Sequence, residues 1–272
     1  MDNIRVSVII PTYRPGEYIT KCLDSLCDQT LDSGLYEIVV ILNGERAPYF
    51  DRLQTYAQSR SNHCLRILYA EHAGVSNARN MGIGEARGQY LVFIDDDDWV
   101  SSNYLENLLE KADDTTVVAS NAIAIDEATG QETDYFLSKA YEKVSGMSRP
   151  SLFVARSFLS PPICKLIPRG VIAEHRFPTD FALGEDSIFM FTISCNIGQM
   201  RFTSADTVYY IRIRNNSASH RHYSYWFRVK LAMKTTLRYL RIYLSAPARY
   251  DFLFFLSRVA ATLRKLFWKS YM

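Results

Sequence analysis

Long apolar runs are missing from this chain. In its 272 residues the longest, 38–42 and 252–256, reach about five residues against the roughly 20 that cross a bilayer. A membrane span is therefore not expected. The start, Met1-Asp2-Asn3-Ile4-Arg5 before an apolar run that stops at Pro11, carries no basic leader with a small-residue cleavage site, so no secretory signal is expected either. Cysteine is sparse: five residues, at 22, 27, 64, 164 and 195, with no CxxC pair. That excludes the usual zinc and redox-couple spacings and predicts a reducing, cytoplasmic compartment. Glycine (12) and proline (9) are few, and neither an internal repeat nor a low-complexity segment is found. Collagen-like, disordered and coiled-coil classes drop out.

What is present suits one large α/β unit with an appendage. Apolar residues make up 48% and charged residues 22%, enough to bury a sizeable core. The net charge of +2 conceals an asymmetry: residues 200–272 hold 14 Lys/Arg against only Asp206 and Asp251, while 1–199 are net acidic. A basic tail of this kind reads as a contact for nucleic acid, anionic lipid or phosphorylated substrates.

The opening alternates strand and helix patterns. Residues 6–10 form a continuous β-branched run expected to end at Pro11, followed by helically spaced Tyr18, Ile19, Cys22, Leu23 and Leu26. Strands are predicted at 37–42, 65–69 and 90–94, with helices over 49–60 and 75–85 between them. That pitch argues for a doubly wound, mostly parallel open sheet, whose ligands bind beyond the carboxyl ends of the strands. Further on, a strand at 116–124, a turn at 130–135 and strands within 200–213 are expected. From Tyr225 one helix face carries the apolar positions 226, 229, 233, 237, 240 and 244 and another carries Lys230, Lys234, Arg238 and Arg241, with Pro247 as the stop. A second amphipathic stretch runs over 252–269, with Leu253, Leu256, Ala260, Leu263 and Phe267 in register.

The predicted fourth strand empties into Asp95-Asp96-Asp97-Asp98-Trp99. Adjacent carboxylates repel unless a cation or donors compensate, and on an extended segment Asp95 and Asp97 would point the same way, toward a hard cation such as Mg²⁺ or Mn²⁺. A solvated acidic turn with Asp98 opening the next helix is the other reading. Gly82, Gly84 and Gly88 superficially resemble a dinucleotide fingerprint, but they end a helix before a strand, the reverse of what that motif requires. No P-loop occurs, and Pro11-Thr12-Tyr13-Arg14 replaces the Gly-rich turn of a sugar-1-phosphate nucleotidyltransferase.

Several segments, taken in order, resemble the family 2 glycosyltransferases of bacterial capsular and exopolysaccharide synthesis, which have a GT-A fold. They are Val8-Ile9-Ile10-Pro11-Thr12-Tyr13; Cys22-Leu23-Asp24-Ser25-Leu26 with Gln29-Thr30; Gly74 and Ala78-Arg79-Asn80-Met81-Gly82-Ile83 through Tyr90; and Phe93-Ile94-Asp95-Asp96-Asp97-Asp98-Trp99, of DxD type. Cys164-Lys165-Leu166, Gly184-Glu185-Asp186-Ser187-Ile188-Phe189 and Tyr209-Tyr210-Ile211-Arg212 with Asn216-Ser217 complete the set. The resemblance spans about residues 4–220, a GT-A domain over 1–220, and leaves 221–272 as a basic amphipathic helical extension. After the second strand the family commonly has Asp-Asp-Gly-Ser or Asp-Asn-Gly-Ser, an acid holding the uracil imide; here the turn is Asn43-Gly44-Glu45. Asn43 is either a base-edge contact or a turn residue.

The resemblance implies an inverting, metal-dependent hexosyltransferase. Asp186 would be the base that takes the acceptor hydroxyl's proton, with Glu185 orienting acceptor or loop. A carboxylate at position 186 is also what a helix N-terminus favours. Pro11, Thr12, Tyr13, Asn43, Arg79, Asp95 and Asp96 would hold the nucleotide sugar, a UDP-sugar, and Asp97 with Asp95 the Mg²⁺ or Mn²⁺ that steadies the leaving diphosphate. Lys165 and Trp99 would lie on the acceptor side. A surface salt bridge for Arg79, a solvated Lys165 and an exposed pair at His220 and His222 are the plainer alternatives. The expected acceptor is a saccharide on a polyprenyl diphosphate at the inner face of the plasma membrane, with the tail lying peripherally on anionic lipid. A degenerate GT-A domain recruiting partners to membranes is the alternative in another class; a nucleic-acid binder rests on the tail's charge alone and is not expected.

Overall fold

A computed structural model describes residues 3–60, 65–214 and 223–267. The chain order is β1 (Val6–Thr12), α1 (Tyr18–Cys27), β2 (Tyr36–Asn43), α2 (Tyr49–Ser59), β3 (Leu65–Ala70), α3 (Val75–Glu85), β4 (Tyr90–Phe93), β5 (Trp99–Val100), α4 (Tyr104–Glu110), β6 (Thr116–Ala119) and β7 (Asn121–Asp126). Then come β8 (Glu132–Thr133), α5 (Phe136–Val144), β9 (Lys165–Pro168), α6 (Arg169–Ile172), α7 (Glu185–Ile193), β10 (Gln199–Phe202), β11 (Val208–Ile213), α8 (Tyr225–Ser245) and α9 (Phe252–Phe267). Seven strands form one sheet in the order β10-β6-β9-β4-β1-β2-β3, and four form a second, β5-β11-β7-β8.

Within the large sheet β1 to β4 pair in parallel, β10 runs parallel to β6, and only β9 is antiparallel to its neighbours β4 and β6. Every residue of β1 and β2 is buried, as both faces of a parallel sheet under helices require. The expected end of strand one moves from Pro11 to Thr12. Arg5 and Ile9 accept the amides of Tyr90 and Ile94 on the β4 side. Pro11 faces the same way by the two-residue alternation, and β4 pairs with β1 no further than Ile9. The N–H that proline lacks is thus not needed there.

The expected strand over 116–124 is two strands. Ser120 donates its amide to the Cys164 carbonyl; β6 before it joins the large sheet and β7 after it joins the small one. The turn expected at 130–135 contains β8, paired with β7.

α3 lies against the centre of the sheet because residue 82 has no side chain. A Cβ there would sit 2.4 Å from Ile9 Cγ2 and 3.0 Å from Ile41 Cδ1. The two C-terminal helices belong to the same apolar core: Phe191 of α7 meets Tyr239 of α8 at 5.2 Å between ring centroids and Tyr250 at 5.1 Å, with Phe254 and Phe255 beside them.

In α8 the inward residues are Ala232, Thr235 and Tyr239, not the stripe 226–244 that periodicity marks as apolar. Trp226, Met233, Leu237, Leu240 and Leu244 of that stripe are exposed. α9 likewise buries Phe254, Phe255 and Arg258 and exposes Leu253, Leu256 and Leu263. Trp268, Lys269, Asn216, Ser217, His220 and His222 lie outside the described residues.

Candidate active site

The carboxyl ends of β1 and β4, the start of α7, one face of α3 and the end of β11 meet at a cluster of acids and arginines. The four aspartates after β4 do not lie extended. The Asp98 amide donates to the Asp95 carbonyl at 3.1 Å, closing a turn, so the alternation that would aim Asp95 and Asp97 at one ligand does not hold. Each acid instead has its own partner. Arg79 Nη2 donates to Asp95 Oδ1 at 3.0 Å, Thr12 Oγ1 donates to Asp96 Oδ2 at 2.5 Å, Arg214 pairs with Asp97, and the Arg212 amide donates to Asp98 Oδ1 at 2.8 Å. Asp98 is 3% exposed and α4 starts only at Tyr104, so Asp98 is neither a solvated turn residue nor a helix opener. Burial, with the neighbouring acid charges, pushes the Asp96 carboxyl up to about 7 despite the Thr12 hydroxyl. Burial and Asp95 also raise Asp97, against the pull of Arg214.

Arg79 joins the two halves of the site. It projects from α3, its side chain 4% exposed, and donates from Nη1 to Asp186 Oδ1 at 2.5 Å while Nη2 holds Asp95. The ring of Phe177 lies 5.3 Å from its guanidinium carbon. Burial opposes that charge, and the two carboxylates more than restore it. This placement differs from a surface salt bridge on the third helix.

Asp186 and Glu185 open α7 behind Gly184, whose φ of +86° favours a residue without Cβ. Burial raises Asp186, with Arg79 countering it; burial and the Asp186 charge lift Glu185 to about 7.

Other expected contacts fall as follows. Pro11 and Thr12 are buried and Tyr13 is 48% exposed, its ring against the space beside Gly44. Asn43 is a buried strut: Nδ2 donates to the Thr12 carbonyl at 2.7 Å and Oδ1 accepts the Gly74 amide at 2.8 Å, tying β1 to the start of α3. The positive φ belongs to Gly44, not Asn43. Lys165 is buried, not solvated. Its Nζ donates to the carbonyls of Pro161 (2.7 Å) and Ile163 (2.5 Å), and burial draws its pKa down to about 8. Trp99 pairs across β5 and β11, stacked on Tyr210 at 5.4 Å with Lys21 Nζ 3.3 Å from its centroid. Sequence reasoning missed Arg212 and Arg214 as site residues, although the alternation Tyr210, Arg212, Arg214 places all three on one side of the strand exit.

Among the described residues no three His, Cys, Asp or Glu side chains converge into a metal cage. A catalytic Mg²⁺ or Mn²⁺ does not ask for one, since such ions take one or two carboxylates and complete their shell with substrate phosphates and water. Asp97 and Asp95 are hard oxygen donors, their side chains 19% and 39% exposed. As hard oxygen donors these two carboxylates suit such an ion in kind, with Asp97 paired to Arg214 and Asp95 to Arg79 in this structure.

A mostly parallel twisted sheet with its acids gathered past β4 defines a GT-A glycosyltransferase fold. Residues 7–160, more than half of the chain, match the family described as Glycosyl transferase family 2, and the chain belongs to that family. It is 29% identical over 246 residues to the putative glycosyltransferase EpsH of Bacillus subtilis, covering 87% of this chain and 69% of that protein. It is 25% identical to a poly(ribitol-phosphate) beta-glucosyltransferase of Bacillus spizizenii over 78% of this chain, but spans only 33% of that protein. Among solved structures, S. aureus TarS 1–349 in complex with UDP-GlcNAc superposes with a TM-score of 0.74 at 19% identity, covering 97% of this chain and 73% of the other.

Proposed function

We propose that this chain is an inverting, metal-dependent transferase that moves a hexosyl residue from a UDP-sugar to a hydroxyl of a polyprenyl-diphosphate-linked saccharide at the inner face of the plasma membrane, where it works as a peripheral protein. The observation that carries the reading is Arg79 bridging Asp95 and Asp186. A donor diphosphate at the β4 turn would then lie on one side of this guanidinium and a proton-accepting carboxylate on the other. Binding of UDP-GlcNAc by the TarS neighbour supports the uridine donor.

In this reading Pro11, Thr12 and Tyr13 seat the nucleotide at the end of β1, and Asp97 with Asp95 would hold Mg²⁺ or Mn²⁺. Bound there, the ion would supply Lewis-acid stabilisation of the diphosphate as it leaves. Arg79 favours the ionised form of Asp186, countering the burial that raises its pKa, and Asp186 accepts the proton of the attacking hydroxyl on the face opposite the leaving group. Glu185 orients the acceptor beside it. Asp186→Asn is expected to leave UDP binding nearly unchanged while lowering kcat by about 10²- to 10⁴-fold, the usual worth of a general base. EDTA is expected to abolish transfer, with recovery on added Mn²⁺. Full turnover in EDTA would remove the metal from the scheme, equal loss of UDP affinity in Asp186→Asn would remove the base, and no turnover of any nucleotide sugar would leave a degenerate binding domain.

A further inference from the structure

α8 and α9 form an antiparallel pair: Tyr243 stacks on Phe255 at 4.5 Å near one end, and Arg228 donates to the Leu266 carbonyl near the other. Each helix has two apolar faces, and only one is used. At about 100° per residue, the exposed side chains Trp226, Met233, Leu237, Leu240 and Leu244 lie roughly 140° around the helix from the buried Ala232, Thr235 and Tyr239. α9 adds exposed Phe252, Leu253, Leu256 and Leu263, and Phe252 touches the half-buried Tyr243 of α8 where the two helices meet. Of the sixteen large apolar side chains exposed among the described residues, eleven are on these two helices. Scattered exposure is ordinary; exposure gathered on one helix pair in this way marks an interaction surface.

The charges decide what covers it. Residues 223–267 hold nine Lys/Arg and one acid, Asp251. Lys234 and Arg238, turned toward the domain, are both answered by Asp180. Lys230 and Arg241 border the outward stripe, are exposed, and among the described residues have no ion-pair partner. A two-fold contact with a second copy would bring like charges together around the seam. An apolar face nearly 72% exposed at Trp226 is also wasted on a nucleic acid. An amphipathic element with aromatics on one side and cations at its border is the pattern of a helix lying in a bilayer interface.

We propose that the outward face of the α8–α9 pair is the surface by which this protein seats on an anionic lipid bilayer, both helices lying flat. This rests on the reading that the acceptor is membrane-bound. The seat is also tied to the chemistry: on its inner side Tyr239 shares a 2.8 Å hydroxyl hydrogen bond with Ser187, the residue after Asp186.

The test is co-sedimentation of the full chain with phosphatidylcholine vesicles containing phosphatidylglycerol, against phosphatidylcholine alone, for the native chain, Leu237→Glu/Leu240→Glu and Lys230→Glu/Arg241→Glu. These positions face outward, so melting temperature and UDP-sugar hydrolysis should be unchanged, and each serves as the control for folding. The native chain should bind the anionic vesicles and be partly released by high salt. The charge variant should bind at least about fivefold more weakly per cation removed, and the apolar variant should not sediment. Vesicle binding that survives both variants overturns the proposal. So does a native chain that ignores vesicles but runs as a dimer which Leu237→Glu/Leu240→Glu dissociates, since the face is then a self-association surface. Failure here with hydrolysis intact leaves the transferase reading standing; binding without hydrolysis does the reverse.

Discussion

Glu185 and Asp186 are neighbours on one helical turn, and only Asp186 has the guanidinium. Glu185, left beside a buried negative charge, holds its proton up to about 7, above the ordinary value for a glutamate in the unfolded chain. The folded state therefore binds more protons than the unfolded one between those two values. The stabilisation this brings is fully present below the unfolded pKa and is lost as pH rises through about 7. Glu185→Gln removes the penalty, so it should raise stability at pH 8 by on the order of 1–2 kcal/mol and do little at pH 4; thermal melts at the two values check this, and equal effects at both would rule it out. At this scale the acids were legible in the sequence, because a run of carboxylates at a strand's end asks for compensation whatever the details. Their partners were not. Arg79 and Asp186 are 107 positions apart and Arg214 and Asp97 are 117, and a single sequence carries no measure of such separations.

Among the elements, α3 shows how a helix can be placed by an absence. Alanine in a helix interior is favoured over glycine by about 1 kcal/mol, yet at residue 82 its methyl would meet Ile9 and Ile41 well inside contact distance. Overpacking of that kind costs about 1–3 kcal/mol. Gly82→Ala should thus lower the urea midpoint, and because α3 must lift to make room it should also weaken UDP binding by displacing Arg79; an unchanged midpoint with normal binding would show that the sheet yields instead. The parallel strands were readable because β1, β2 and β4 are buried along their whole length and read as nearly continuous apolar runs. The α8 register was misleading for a related reason. Both of its faces are apolar, Ala232, Tyr239 and Ile242 on one and Met233, Leu237 and Leu240 on the other, so periodicity locates the stripes without saying which meets the core. The break at Ser120 was invisible because β6 and β7 are equally strand-like and differ only in the sheet they join.

For the whole molecule, Phe191 is the point where the C-terminal pair is fastened. Its ring touches Tyr239, Tyr250, Phe254 and Phe255, and its removal leaves a cavity shared by α7, α8 and α9. Phe191→Ala should cost about 3–5 kcal/mol and expose sites between α8 and α7 to limited proteolysis before the sheet unfolds; a melt shifted by less than 1 kcal/mol would mean the pair is held elsewhere. Cutting the chain before α8 would uncover the same ring, so a truncated protein reports on folding as much as on binding.

The uneven placing of charge has an effect at a distance. With a net charge of only +2 the molecule has little overall pull toward an anionic surface, but residues 223–267 carry nine Lys/Arg against one acid while residues 1–199 are net acidic, and a basic end set on an acidic body is an electric dipole. Within about one Debye length, roughly 8 Å at physiological ionic strength, the field of such a surface exerts a torque on that dipole, turning the basic end inward and the acidic end away. If α8 and α9 seat on a membrane as proposed, orientation would be selected before contact, and ionic strength would govern the fraction of encounters that arrive with that pair inward.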